Sequence, residues 1–170
     1  MEYKVIYSDR RTVSLSVKDG IVTVRAPKRT PEKFILDFVN RHTRFIEKHL
    51  PKEQARREKY DSLTEEEIKL LKREARKYFL GKAEEYSKIM GLKYSRITIT
   101  SAKTRFGSCS SRGNISFSYR LMLYPEPARE YVVVHELAHL AEMNHSKRFY
   151  AIIEKTLPDF RERKKLLEYI

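Results

Sequence analysis

The segment Tyr131-Val132-Val133-Val134-His135-Glu136-Leu137-Ala138-His139-Leu140 constrains this chain more than any other. It is the most apolar stretch with helical character, yet it carries two histidines and a glutamate. At helical spacing His135 and His139 lie one turn apart on one face, with Glu136 beside the first. Unpaired polar groups are costly in a buried helix, so these three need partners. Two imidazoles on one face with a neighbouring carboxylate form the H-E-x-x-H pattern, a metal site with its general base built in. His145 follows, completing H-E-x-x-H-x5-H, and it reaches back as a third ligand if the helix stops after His139. With only five histidines in 170 residues, three at these places by chance are rare. Three protein ligands leave a fourth position for water, the mark of a catalytic site. The expectation is one zinc ion per chain on His135, His139 and His145, with Glu136 as the catalytic base.

The flanking sequence reads as a mixture of strands and helices. Val13 to Val17 alternates, Asp19-Gly20 turns, and Ile21 to Val24 returns as a hairpin. Thr30 and Pro31 open a helix through Phe34, Ile35, Phe38, Val39, Phe45 and Ile46, and Pro51 is expected to stop it. His42 and His49 fall on that helical stripe and are expected at its surface or boundary. Residues 52–61 are charged and weakly patterned, and read as a linker. Thr64 and Glu67 make a capping box for a long helix that Gly91 ends. Ile97 to Thr100, Arg105 to Cys109 and Asn114 to Tyr119 read as extended segments before the histidine helix. A last helix runs from Ser146 to Thr156. Asn144, tolerant of the left-handed conformation, is the expected turning point before His145.

Charge and cysteine content narrow the setting. The net charge is +13. From Lys93 to Pro125 there are 6 Lys/Arg and no acid, just upstream of the histidine helix. Basic surfaces attract acidic partners, nucleic acid included. Lys103, Arg105, Arg112 and Arg120 are the candidate substrate or phosphate contacts. The lone Cys109 excludes an internal disulfide framework. No run reaches membrane-spanning length, and the N-terminus has no signal-like apolar core, so a cytoplasmic location without membrane contact is expected.

Three segments together resemble one family: Lys103-Thr104-Arg105-Phe106-Gly107-Ser108-Cys109-Ser110, then Tyr131 to Leu140, then Asn144-His145-Ser146 with Arg148-Phe149. They resemble the YgjP-like metal-dependent hydrolases, a zincin-type group of metallopeptidases similar to the SprT-like and Wss1-type DNA–protein crosslink proteases. The hairpin ending at Val24-Arg25-Ala26-Pro27 and the helix ending near Ile46-Glu47-Lys48 are similar to that family's N-terminal region. The resemblance implies an α+β, zincin-like fold, with the H-E-x-x-H helix and a long helix packed on a small antiparallel sheet. It implies an N-terminal hairpin-helix region with linker over 1–60 and a metallohydrolase domain over 61–170. It also implies a peptide or protein substrate.

The chain departs from the family at Phe106 and Tyr150, where Trp is usual. A β-rich insert common before the long helix has no room in residues 52–61. Metzincins share the histidine spacing but place Gly where this chain has Glu142. Alternatives remain within the sequence itself. Glu154 or Glu162 can replace His145 as third ligand. Cys109 can be a fourth ligand or a small buried hydrophobe. A nucleotide or phosphate-ester hydrolase, and a zinc-containing nucleic-acid-binding module, compete with the peptidase reading; intact Glu136 argues against the module, because a structural site needs no general base.

Overall fold

A computed structural model describes residues 2–168. The chain divides into two compact units, Met1–Ser62 and Leu63–Ile170.

The first unit is a three-stranded sheet with two helices. β1 (Lys4–Ser8), β2 (Ser14–Lys18) and β3 (Ile21–Pro27) lie in the order β1-β3-β2. β2 and β3 form the expected antiparallel hairpin, and β1 adds parallel to β3. Asp19 and Gly20 take φ of 50° and 71°, the positive pair that a tight two-residue hairpin turn requires. Alternation along β3 buries Val22, Val24 and Ala26 against Ile35, Val39 and Ile46.

The helical part of this unit corrects the sequence reading twice. The single helix expected up to Pro51 breaks at His42, giving α1 (Glu32–Arg41) and α2 (Thr43–Asp61). Pro51 does not stop α2, and residues 52–61 are helix, not linker. A proline inside a helix costs about 3 kcal/mol, so other contacts must offset it. Glu53 accepts the Asp19 backbone N–H at 3.0 Å and pairs with Arg56. Arg57 donates to the Asp19 carbonyl at 3.3 Å and pairs with Asp61 at 3.3 Å. The hairpin turn thus holds the second half of α2, a long-range effect that local pattern does not carry. His42 and His49 are half-buried, and the His42 Nδ1 lies 2.7 Å from the Phe38 carbonyl.

The second unit is α+β and holds the larger core. α3 (Glu65–Met90) begins on the Thr64–Glu67 capping box and ends at Gly91, φ 67°. Ala75, Phe79, Ala83 and Tyr86 form its buried stripe. β4 (Arg96–Thr100), β5 (Gly107–Cys109) and β6 (Asn114–Ser118) make a sheet ordered β4-β6-β5. The sheet is mixed and not antiparallel throughout, because β4 and β6 pair in parallel. The direction alternates along the chain, but the tight β5–β6 hairpin places β6 in the middle, beside β4. Phe117 of β6 stacks on Phe79 of α3 with ring centroids 4.7 Å apart. A 3-10 turn over Tyr119–Leu123 leads to α4 (Glu126–Ala138). α5 (Lys147–Thr156) and α6 (Phe160–Lys165) follow. Residues Tyr131 to Val134 and Glu136 to Ala138 of α4 are all buried, as its composition demands.

Among the described residues, no helix is long and apolar enough to cross a membrane.

Candidate metal centre

α4 stops where the sequence needs it to. The helix ends at Ala138 and His139 is its cap residue. Short turns close it: Leu140 N–H bonds Leu137 O at 3.0 Å, and Glu142 N–H bonds Ala138 O at 3.0 Å. The chain then turns without a left-handed residue, since Asp19 alone among the described non-glycine residues has positive φ. Asn144 therefore does not make the turn by the expected device. Its carbonyl instead accepts the Ser146 N–H at 2.7 Å, a tight bend directly across His145. The Ser146 hydroxyl accepts the Phe149 N–H at 3.3 Å and starts α5.

These turns bring His135, His139 and His145 together. Their ligand-capable atoms all lie within 4.8 Å of one another. The Nε2 atoms of His135 and His145 are 3.1 Å apart. Phe149 forms a common apolar floor, with ring centroids 4.9, 4.5 and 4.8 Å from those of His135, His139 and His145. The His139 Nδ1 lies 3.2 Å from the Glu142 carbonyl, which selects the tautomer with its proton on Nδ1 and a lone pair on Nε2. The Tyr131 hydroxyl stands 3.4 Å from the His135 Nδ1 on the side away from His145.

The electrostatics favour neutral imidazoles. Burial, and then the neighbouring His139 and His145, push His135 down to about 3. Burial likewise lowers His139. Neutral imidazole is the ligating form. Three convergent imidazoles of borderline softness, with no thiolate and no carboxylate in the cluster, suit a divalent transition metal.

Glu136 is not part of the cluster but borders it. Its side chain is buried, with 6% of its surface exposed. Burial pushes its carboxyl up to about 7, and the Arg105 charge draws it back. β5 covers it closely. A Cβ placed on Gly107 would lie 2.6 Å from Glu136 Oε1 and 2.7 Å from its Cγ. A side chain there would displace that of Glu136, so Gly107 belongs to the site. The histidine motif does not point to Gly107, although a glycine within a strand is a sign of close approach.

The basic candidates separate. Arg105 is exposed but acts electrostatically on Glu136. Lys103 and Arg112 are exposed, Arg112 on the β5–β6 turn, where its carbonyl accepts from the Ser95 hydroxyl at 2.7 Å. Arg120 is corrected. It is buried, donates to the Ser101 and Ala102 carbonyls at 2.6 and 3.3 Å, and lies over the Tyr119 ring. It braces the loop after β4 and does not face a diffusing substrate. Cys109, Glu154 and Glu162 lie outside the cluster. Glu154 pairs with Arg161 at 2.9 Å.

Comparison with known proteins places the chain in a family. The YgjP-like metallopeptidase-domain family matches residues 11–70 and 57–169. Among solved structures, the chain is similar to the metallopeptidase zymogen abylysin of Pyrococcus abyssi. That match has 24% identity and a TM-score of 0.48, over 52% of this chain and 90% of that one. No curated protein matches significantly.

Proposed function

The chain belongs to the YgjP-like metallopeptidase family, and from that premise we propose that it is a zinc peptidase with Glu136 as its general base. The observation that carries the reading is the convergence of His135, His139 and His145, with the buried Glu136 next to His135 in the chain. The three imidazoles would hold one ion. Zinc bound there would supply a Lewis acid that polarises a peptide carbonyl and makes water acidic enough to attack near neutrality. Glu136 takes the proton of the attacking water at a carboxylate oxygen and delivers it to the departing amine nitrogen. Its burial suits both steps, because a carboxyl raised to about 7 gives and takes protons near neutral pH. Arg105 keeps the carboxylate form accessible. Gly107 lets β5 lie against Glu136 and limits its rotamers.

Elemental analysis of the purified protein should find about one zinc per chain, and His145→Ala should lower that occupancy. Glu136→Gln should keep fold and zinc while slowing peptide hydrolysis by about 10²–10⁴-fold. Full turnover by Glu136→Gln would remove this mechanism.

A second reading, binding of a polyanion such as single-stranded nucleic acid, has one structural observation behind it. A groove of about 680 Å³ between α3 and β4 is lined by Lys72, Arg73, Arg76 and Arg96 and by no carboxylate. This differs from the surface expected from sequence, whose candidate contacts are Lys103, Arg105, Arg112 and Arg120. Fluorescence anisotropy with a labelled oligonucleotide across a salt series tests it, because each neutralised phosphate releases counterions and steepens the salt dependence. A flat response, or unchanged binding by Arg73→Ala/Arg76→Ala, rejects it.

A further inference from the structure

A cavity of about 610 Å³ lies beside the histidine cluster, between α5 and α6, and the chemistry above makes no use of it. Its floor is aromatic: Tyr150 and Phe160 stack with centroids 6.0 Å apart. That floor abuts the rings of the histidine cluster. The Tyr150 ring is 6.4 Å from the His145 ring, and Phe160 stacks at 6.4 Å on Tyr131, whose hydroxyl faces His135. The rim is basic, with Lys147, Arg161, Lys164 and Lys165 around a single carboxylate among the described residues, Glu154. Arg161 already pairs with Glu154. Among the described residues, Lys147, Lys164 and Lys165 make no ion pair.

Resting on the peptidase reading, we propose that this cavity is a specificity subsite for an acidic side chain, Glu or Asp, next to the bond that is cut. A glutamate matches it in two ways. Its methylenes lie against the aromatic floor, and its carboxylate meets unpaired ammonium groups at the rim. Burying a lysine side chain there would place like charges together, and a purely apolar residue would leave the cationic rim unanswered. The three lysines can reach inward, because long basic stems lie along apolar surface and carry the charge at the end. Position supports a substrate subsite, because Tyr150 lines the cavity and its ring lies 6.4 Å from that of His145.

The test uses internally quenched peptides in which Glu, Gln or Lys is walked across one neutral sequence, with cut sites read by mass spectrometry. Each peptide is made with a free and an amidated C-terminus. A Glu peptide and its Gln twin are also titrated by anisotropy against Glu136→Gln protein, which reads binding without turnover. Glu at one position flanking the cut should raise kcat/KM about tenfold over Gln, since two or three exposed pairs each supply a few-fold. Lys147→Glu/Lys164→Glu should erase that preference and turn it toward Lys. Cleavage indifferent to charge, a preference unchanged in the double variant, or a preference for the free C-terminus alone overturns the subsite. If no peptide is cut but the Glu peptide binds more tightly than its twin, and the double variant loses this, the subsite stands and the peptidase reading falls. If neither cleavage nor charge-dependent binding occurs, both fall.

Discussion

Glycine 107 is where one residue most tightly controls the candidate site. A single methyl there would meet the Glu136 carboxyl at 2.6–2.8 Å, well inside van der Waals contact. Glu136 would have to leave its rotamer, while the nearest atoms the methyl meets belong to Glu136 and not to His135, His139 or His145. On the zinc-peptidase proposal, Gly107→Ala should therefore keep the metal and lower peptide hydrolysis by at least about tenfold, since misplacing a catalytic group by an ångström costs that much or more. Zinc content and kcat/KM measured on one preparation check it; loss of zinc with loss of activity would mean that the methyl disturbs the whole centre. Cys109, two residues on, behaves differently. Burial, and then the Glu136 charge, push its thiol up to about 11. A thiol so protonated is a poor nucleophile. Alkylation by iodoacetamide at pH 8 should run at least about tenfold slower in the folded protein than in denaturant. Equal rates would show an accessible thiolate.

At the scale of elements, α2 is a helix held together against its own sequence. Pro51 lies well inside it, where it removes one backbone hydrogen bond and crowds the preceding turn. The bonds from Glu53 and Arg57 to the Asp19–Gly20 turn keep the second half helical. Pro51→Ala should raise stability by about 1–3 kcal/mol, read as a higher denaturation midpoint with more helical circular dichroism. A drop in stability would show that Pro51 has a favourable role in its bend. α3 needs no such help. Its capping box, alanine-spaced buried stripe and glycine stop all act in the same direction, and each is local.

Across the second unit, one carboxylate ties three helices. Glu130 of α4 bonds Lys82 of α3 at 2.7 Å and Arg163 of α6 at 2.6 Å. Burial alone would raise the Glu130 carboxyl, but the hydrogen bonds from Lys82 and Arg163 outweigh it and hold the group below its ordinary value of 4.5. A carboxyl lowered in the folded state stabilises fully above its unfolded pKa. That stabilisation fades as pH falls below about 4.5 and through the lower folded value. Glu130→Gln should cost about 2 kcal/mol at pH 7 and flatten the stability curve between pH 5 and 3. Urea midpoints across that range check it; parallel curves for wild type and variant would exclude Glu130 from acid unfolding. Because α4 carries His135 and Glu136, the same variant tests whether the centre depends on how its helix is clamped.

The sequence by itself determined the elements whose signals are local: the Asp19–Gly20 hairpin, the capped and glycine-stopped α3, and the histidine helix. Its motif also singled out the three imidazoles that the fold brings together and the glutamate beside them, because helical periodicity puts His135 and His139 on one face wherever that helix packs. Only the tertiary structure decided the rest. Which strand takes the middle of a sheet depends on long-range pairing, so the parallel β4–β6 ladder was not legible. Whether a charged segment is linker or helix depends here on a turn more than thirty residues away, so the second half of α2 is not legible in local pattern. Whether an arginine faces solvent or braces carbonyls depends on burial, and Arg120 in an acid-free stretch looked like Arg112 until it was placed. Gly107 shows the same limit from the other side: its missing side chain acquires meaning only when Glu136 occupies the space.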